Sequence, residues 1–439
     1  MKRREFVKGS AAAAGLSLAR AASAKASVND RITLAMIGVR GRGRVVLESF
    51  AKRPDVDVKY VCDIDQSVLG ERTERLAKET GKRHEMIDDF RRALEDPAVD
   101  AVAVATPTHW HGIISIMACQ AKKDVYVEKP DAHNAVEGRV MVEAARKHKR
   151  VVQLGTQSRS GASFLSAMTY LQKGHIGRPL FAKAWESHKQ GSLGHPPDSD
   201  PPAGVDYNTW LGPAPLRPFN RMRFHGNWRW FFDYGAGDLG NDGVHRLDYA
   251  RWGFDVALQA AGQSKLGTLK AVSAHGGKCY FDDIQEWPDN LMITYDYGQG
   301  RVMTYEMRIW TPYPMEGESE GAIVYGDQGY IVIGNKRWRA FGAKGKLLVK
   351  KDGTYQNTDG HVANFIDCMR SRERPNSDLE TVGHPSSLMC HLGNAAWRAG
   401  RTIRFDADTY TCIGDDDANQ YLERPEYRQP WTLPRLEDV

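Results

Sequence analysis

Asp124-Val-Tyr-Val-Glu-Lys-Pro-Asp131 runs a strand-forming segment directly into Glu128-Lys129-Pro130, and the proline ends the strand. Lys129 therefore projects from the carboxyl end of a buried strand, where open α/β sheets place their ligands. An amine held there and partly desolvated has its pKa lowered toward the range in which it exchanges a proton with a bound hydroxyl. Taken alone, a Lys-Pro pair equally describes a solvated loop, so its flanks decide.

A second group is the turn Gly38-Val-Arg-Gly-Arg-Gly43. Gly38 permits a tight strand-to-helix turn, Gly43 permits close helix–strand packing, and the amino end of the next helix suits a pyrophosphate. Arg40 stands where the strict G-x-G-x-x-G pattern has its second glycine, with Gly41 after it, so the motif alone describes any strand–helix turn. Asp63 lies 20 residues beyond Gly43, at the end of a second strand pattern. A carboxylate there accepts ribose hydroxyls and repels a 2′-phosphate. The combination predicts a dinucleotide site that favours NAD over NADP. Arg40 and Arg42 are candidates to pair with the pyrophosphate, or are solvated.

Ala105-Thr-Pro-Thr-His-Trp-His111 follows a third strand. Thr106 and Pro107 are expected beside the nucleotide, while His111 either reaches the nicotinamide or caps the following helix. Further on, Gly235-Ala-Gly-Asp238-Leu-Gly-Asn241-Asp242-Gly-Val-His245-Arg-Leu-Asp248 leads into a helix on which His245 and Asp248 share a face. A histidine so placed can take or give the proton of a substrate hydroxyl while a carboxylate fixes its tautomer; a helix cap is the structural alternative. Asp238, Asp242, His245 and Asp248 match no standard metal spacing, so no metal is expected. Gln157 and Arg159 are candidates for substrate contact, as is Asp242. Trp228, Trp230 and Tyr234 are either apolar walls for a sugar face or core.

These residues need a frame. Strand patterns at Arg31–Ile37, Val56–Val61, Ala101–Ala105, Val125–Val127 and Val151–Leu154 alternate with helical ones. They predict a Rossmann-type, doubly wound parallel sheet of the α/β class. The texture changes near residue 190, where Gly191–Pro218 is rich in Pro, Gly and Asp; irregular segments of this length are usually functional or wrap a partner. From Leu269 onward, β-like runs separated by glycine turns predict a large open, mostly antiparallel sheet. Helices at Gly360–Ser371 and His384–Ala399 follow, then a polar tail. The expected division is residues 30–155 and 156–413, with a tail at 414–439. The basic pairs Lys336-Arg337 and Lys350-Lys351 read as solvated turns.

The totals limit the function classes. A chain of 439 residues with 41% hydrophobic and 26% charged residues describes an ordinary soluble protein with room for two domains. Its net charge of +5 is concentrated in residues 1–24, where Lys2, Arg3, Arg4, Lys8 and Arg20 face only Glu5. The remainder is nearly neutral, which gives no electrostatic case for nucleic acid. Residues 1–24 pair basic residues with an Ala-rich apolar run and Ala22-Ser23-Ala24, and resemble a twin-arginine signal peptide. The run is too short to span a bilayer. The expectation is export to the periplasm through the twin-arginine machinery, with the cofactor loaded beforehand and held tightly. Six cysteines (62, 119, 279, 368, 390, 412) show no metal or C-x-x-C spacing and read mostly as buried thiols, with no disulfide assigned.

Together, Glu128-Lys129-Pro130, the Gly38 turn, Thr106-Pro107 with His111, and the glycine-led His245 helix resemble the glucose–fructose oxidoreductase/inositol dehydrogenase (Gfo/Idh/MocA) family over most of the chain. The resemblance implies a Rossmann domain followed by an α/β domain whose open sheet often forms homo-oligomer interfaces. It also implies NAD(P)-dependent oxidation or reduction of a hydroxyl on a sugar or cyclitol, with Lys129 and His245 matching the catalytic pair. Asn241 departs from the pattern, which often has Asp there; an amide hydrogen-bonds a hydroxyl but cannot take its proton. The family's redox-neutral glycoside hydrolase branch usually lacks Glu-Lys-Pro, so its presence favours net oxidoreduction. A nucleotide-binding assembly scaffold is the non-enzymatic alternative.

Overall fold

Apolar side chains fill both faces of the first strands, which is the condition for a sheet covered on two sides. In the computed structural model, which describes residues 31–353 and 356–439, the six segments β1 (Ile32–Ile37), β2 (Val56–Cys62), β3 (Glu85–Ile87), β4 (Ala101–Val104), β5 (Asp124–Val127) and β6 (Val152–Leu154) form one parallel sheet. The expected signal at residues 1–24 lies outside the described residues. The strand order β3-β2-β1-β4-β5-β6 reverses between β1 and β4, and ligands of open α/β sheets bind at such a reversal. One face is covered by α1 (Arg42–Ala51) and α2 (Gln66–Thr80). The other carries α3 (Arg91–Glu95), α4 (His111–Gln120) and α5 (Ala135–Lys147). Local caps set the helix starts: the Asp65 carboxylate accepts from the backbone N–H of Ser67 ahead of α2, and Asn134 Oδ1 accepts from Glu137 N in α5 at 2.9 Å.

The second sheet has ten strands in the order β14-β13-β12-β11-β7-β10-β9-β8-β15-β16. Its centre is β7 (Pro179–Ser187), a strand absent from the sequence reading. Beside it lie β8 (Ala271–Gly277), β9 (Asn290–Asp296), β10 (Val302–Arg308), β11 (Glu320–Gly326) and β12 (Tyr330–Gly334). The edges are β13 (Arg337–Phe341), β14 (Leu347–Asp352), β15 (Ile403–Asp406) and β16 (Thr411–Cys412). All neighbours pair antiparallel except β7 with β10. Helices α6 (Ala162–Gln172), α8 (Val244–Ala260) and α10 (His384–Ala399) pack on one face. On β9 and β10 buried residues alternate with partly exposed ones, so the opposite face is open.

Several segments depart from expectation. Gly191–Pro218 is irregular, as expected, apart from the one-turn α7 (Tyr207–Leu211); the departures lie elsewhere. Lys350 and Lys351 sit on the edge strand β14 rather than in a turn, where lysines discourage further strand pairing, and Arg337 opens β13. The helix α9 (Thr358–Ser371) leaves the second sheet and buries Val362, Phe365 and Ile366 against α1 of the first domain. The polar tail also returns. Trp431 meets Trp110 edge-on at 4.6 Å, and Arg428 donates to Asn208 Oδ1 at 2.7 Å and to the Gly212 carbonyl at 2.9 Å. Replacing Trp431 with Ala is expected to cost about 2–3 kcal/mol of stability, read as a lower urea midpoint at unchanged slope; an unchanged midpoint would make the tail a passive strap.

All six thiols are free, five buried and Cys279 exposed. Among the described residues no helix is long and apolar enough to cross a membrane.

Candidate active site

The glycine turn has no room for side chains. Gly38 has φ +82°, and a Cβ there would lie 2.8 Å from the Ala105 carbonyl carbon. A Cβ on Gly43 would sit 2.0 Å from the Gly38 oxygen. The turn therefore closes on the end of β4 and leaves the amino end of α1 bare toward the crevice. Asp63, just past β2, is held by backbone N–H groups, accepting from Val39 at 3.0 Å and Asp65 at 3.2 Å. Burial nonetheless pushes its pKa up. The Thr106 hydroxyl is buried without a partner among the described residues, in the wall of the same cavity. A bare helix end, a carboxylate at the second strand's tip and an orphaned hydroxyl fit a dinucleotide.

From the other side β5 delivers Glu128 and Lys129. Glu128 Oε1 accepts from Gln157 Nε2 at 2.7 Å and from Arg42 Nε at 3.2 Å, and Arg42 also donates to Thr358 Oγ1 at 3.0 Å. A Cβ on Gly155 would come within 2.6 Å of the Glu128 carboxylate, so that loop is glycine for a steric reason. Glu128 thus ties together α1, the loop after β6 and the end of β5. Arg42 is committed to this network, whereas Arg40 stays on the exposed rim of the cavity.

Lys129 Nζ donates to the Asn241 backbone carbonyl and, at 3.2 Å, to Asn241 Oδ1. Asn241 belongs to a π-helical turn, Leu239–Gly243, that feeds α8; such turns often occur at functional sites. One residue into α8, His245 is 4% exposed and its Nδ1 has no hydrogen-bond partner among the described residues. Burial, reinforced by the charges of Lys129, Arg246 and Arg42, holds its pKa well below the ordinary histidine value. A neutral imidazole and an amine accordingly line one cavity of about 420 Å³, together with Gly38, Asp63, Asn241 and Asp242.

The remaining candidates divide. Gln157 and Trp228 line the cavity, as do Gly41 and Pro107. His111 opens α4, but its ring lies between the carbonyls of Thr106 (2.9 Å) and Pro130 (2.7 Å) from two crevice loops; burial lowers its pKa, and the neutral ring donates to one of them. Asp248 does not orient His245, contrary to expectation. It receives Arg159 Nε at 2.8 Å and Ser386 Oγ at 2.7 Å. Arg159 is consequently half of a buried ion pair outside the cavity wall rather than a substrate contact. Tyr234 and Trp230 are core: the Tyr234 ring lies 4.8 Å from Trp210 and 5.3 Å from His109. Trp210, Thr209 and His225 line the cavity and were not anticipated individually, although the first two come from the long irregular segment. The four-residue metal set weighed from sequence does not assemble. Asp238 and Asp242 instead meet Glu186 and His188.

The profile of an oxidoreductase family's C-terminal alpha/beta domain (GFO_IDH_MocA_C2) matches residues 181–433, and that of its NAD-binding Rossmann fold (GFO_IDH_MocA) matches residues 32–156. A glycosyl hydrolase family 109 protein of Stenotrophomonas maltophilia is 38% identical over 127 residues, 28% of this chain and 28% of its own. The scyllo-inositol 2-dehydrogenase (NAD(+)) of Bacillus subtilis is 26% identical over 282 residues, 64% of this chain and 67% of its own. The chain thus spans from about a quarter to two thirds of the length of these curated relatives. Among solved structures, the WlbA dehydrogenase of Bordetella pertussis, in complex with NADH and UDP-GlcNAcA, superposes with a TM-score of 0.63 at 18% identity, covering 86% of this chain and 100% of that one. With a family profile matched over more than half its length and the Rossmann profile over most of the rest, this chain belongs to the Gfo/Idh/MocA oxidoreductase family.

Proposed function

We propose that this protein is an exported, NAD-dependent dehydrogenase that exchanges a hydride with a hydroxyl or keto group of a sugar, glycoside or cyclitol. The observation that carries the reading is the convergence of Lys129, Asn241 and a neutral His245 on the cavity that also holds the glycine turn and Asp63. When bound, the dinucleotide supplies the hydride acceptor or donor at its nicotinamide. The chain's own residues handle the oxygen. In the oxidation direction His245 takes the hydroxyl proton, while the Lys129 ammonium, steered by Asn241, hydrogen-bonds the same oxygen and stabilises its developing charge. Asn241 orients a hydroxyl without accepting its proton. Trp228 offers an apolar face to a ring.

Asp63 supports NAD over NADP, through its carboxylate at the ribose position. The cyclitol dehydrogenase relative and the nucleotide-sugar-bound structural neighbour support the substrate class. Lys2-Arg3-Arg4 and the Ala-rich run support twin-arginine export to the periplasm, which in turn favours a cofactor loaded early and held tightly. Exposed Leu180 and Met292 support a homo-oligomer built on the second sheet.

A second reading has its own support. Similarity to a glycosyl hydrolase family 109 protein favours a redox-neutral enzyme that oxidises the sugar, eliminates the aglycone to leave an enone, adds water to it if it is a hydrolase and not if it is a lyase, and then returns the hydride. The test is a panel of sugars, glycosides and cyclitols offered to the purified protein with bound NAD. The dehydrogenase reading expects a keto product with stoichiometric NADH. Free aglycone without net redox change would establish the second reading, and a cofactor that no sugar reduces would leave a nucleotide-binding scaffold.

A further inference from the structure

Beside Asn241, four side chains from two stretches of the chain converge. Glu186 comes from the end of β7, His188 follows two residues later, and Asp238 and Asp242 stand four apart across the π-helical turn. One ligand atom from each lies within 4.8 Å of all the others. Asn241 Nδ2 donates to Asp242 Oδ2 at 3.1 Å and faces Asp238 Oδ1 at 3.4 Å, which leaves the other carboxylate oxygens of the cluster to be accounted for.

They are not accounted for by the protein. Glu186 is fully buried, and neither of its oxygens accepts a hydrogen bond among the described residues; the same holds for Asp238 Oδ2. The nearby ring nitrogen is that of His188, whose Nδ1 lies 3.2 Å from Glu186 Oε1. The cations nearby have other partners: Arg246 pairs with Glu320, Lys129 donates to Asn241, and Arg229, whose charge also reaches Asp238, donates to the Gly226 carbonyl. Two buried carboxylates, Glu186 and Asp238, that keep three oxygens without a donor, beside a half-buried third, Asp242, form an arrangement that a cation completes.

We propose that Glu186, His188, Asp238 and Asp242 bind one divalent first-row metal ion of the Mn2+ or Zn2+ kind. The donor set is three hard oxygens and one imidazole with no thiolate, which suits these ions and excludes soft ones. Bond lengths of about 2.0–2.2 Å place tetrahedral donors roughly 3.3–3.6 Å apart, so the four side chains close on the ion by up to about 1 Å each. The far side of His188 contacts the Gln190 side-chain amide, the outer partner that a ligating imidazole needs, with the amide turned to present its oxygen. The ion neutralises the carboxylates and fixes the turn that presents Asn241 to Lys129. Its binding does not depend on which reaction the crevice performs.

The experiment is metal analysis of the full chain purified without chelator, followed by titration of chelator-stripped protein with Mn2+, read by calorimetry and electron paramagnetic resonance. One equivalent per chain is expected, with a higher thermal midpoint in the loaded protein. Glu186→Gln and Asp238→Asn should each weaken Mn2+ binding by about 100-fold or more and abolish the metal-dependent rise in the midpoint. Removing an uncompensated buried charge favours folding, so both variants should keep their bound NAD, which excludes unfolding as the cause. Failure of the stripped wild type to bind either Mn2+ or Zn2+ stoichiometrically, or binding unchanged in both variants, would overturn the proposal.

Discussion

Lys129→Met should lower turnover by about 10²–10⁴-fold while the protein still carries its nicotinamide cofactor. Methionine keeps most of the stem's length and apolar volume, so the end of β5 stays packed, but the ammonium is gone. Two things follow at once. The Asn241 carbonyl and Oδ1 lose the donor that ties the π-helical turn to β5, and the reacting oxygen loses a positive hydrogen-bond donor. Lys129→Arg separates the two: it restores charge, yet its planar fork cannot reproduce a point contact to a single carbonyl, so it should recover only a small part of the rate. Single-turnover absorbance of the bound nicotinamide reads the effect, and cofactor content per chain serves as the control. Turnover unchanged in Lys129→Met would remove the amine from the chemistry.

His245→Ala should cost turnover on the same scale, about 10²–10⁴-fold, and should change the pH profile. A base must be neutral to take the hydroxyl proton. Burial, together with the cations Lys129, Arg246 and Arg42, keeps this imidazole neutral at pH values where an ordinary histidine is already charging. The wild-type oxidation profile should therefore stay level as pH falls toward 6.5 and decline only below it. Reduction, which needs the protonated form, should gain as the medium becomes more acidic. The same depression carries a stability consequence. Below pH 6.5 the unfolded chain takes up a proton that the folded one refuses, so stability is lost as pH falls through that range, and His245→Ala should lessen the loss. An acid limb centred at or above 6.5 would place the base elsewhere.

What the sequence showed depended on how local each signal was. The Gly38 turn, Asp63, and β5 running into Glu128-Lys129-Pro130 each lie within one strand and its following turn, where periodicity and the special geometry of glycine and proline apply directly. The expectation of a parallel sheet followed by a large open, mostly antiparallel one rested on the same kind of signal and holds in the structure. The centre of the second sheet was hidden for a physical reason. From Ala184 to Ser187, β7 is buried at every position, so its alternation is lost and a polar Glu-Ser ending obscures the strand.

Residues whose role depends on distant partners were harder still. Asp248 lies at helical spacing from His245, but the partners that claim it, Arg159 and Ser386, come from other segments. His111 sits at the helix start that was one of its two expected places, yet its ring lies between carbonyls of two separate loops. The return of Trp431 to Trp110 and the meeting of Glu186 and His188 with Asp238 and Asp242 join parts of the chain that no local pattern links.

The central claim is that an amine and an imidazole address one substrate oxygen beside the nicotinamide. A crystal structure of the protein with NAD and a sugar identified by the substrate panel tests it most directly. Lys129 Nζ and a ring nitrogen of His245 should both lie about 2.6–3.2 Å from the same sugar oxygen, on the carbon facing the nicotinamide. A sugar seated in the crevice with those two groups on different oxygens, or with neither in reach, would contradict the account.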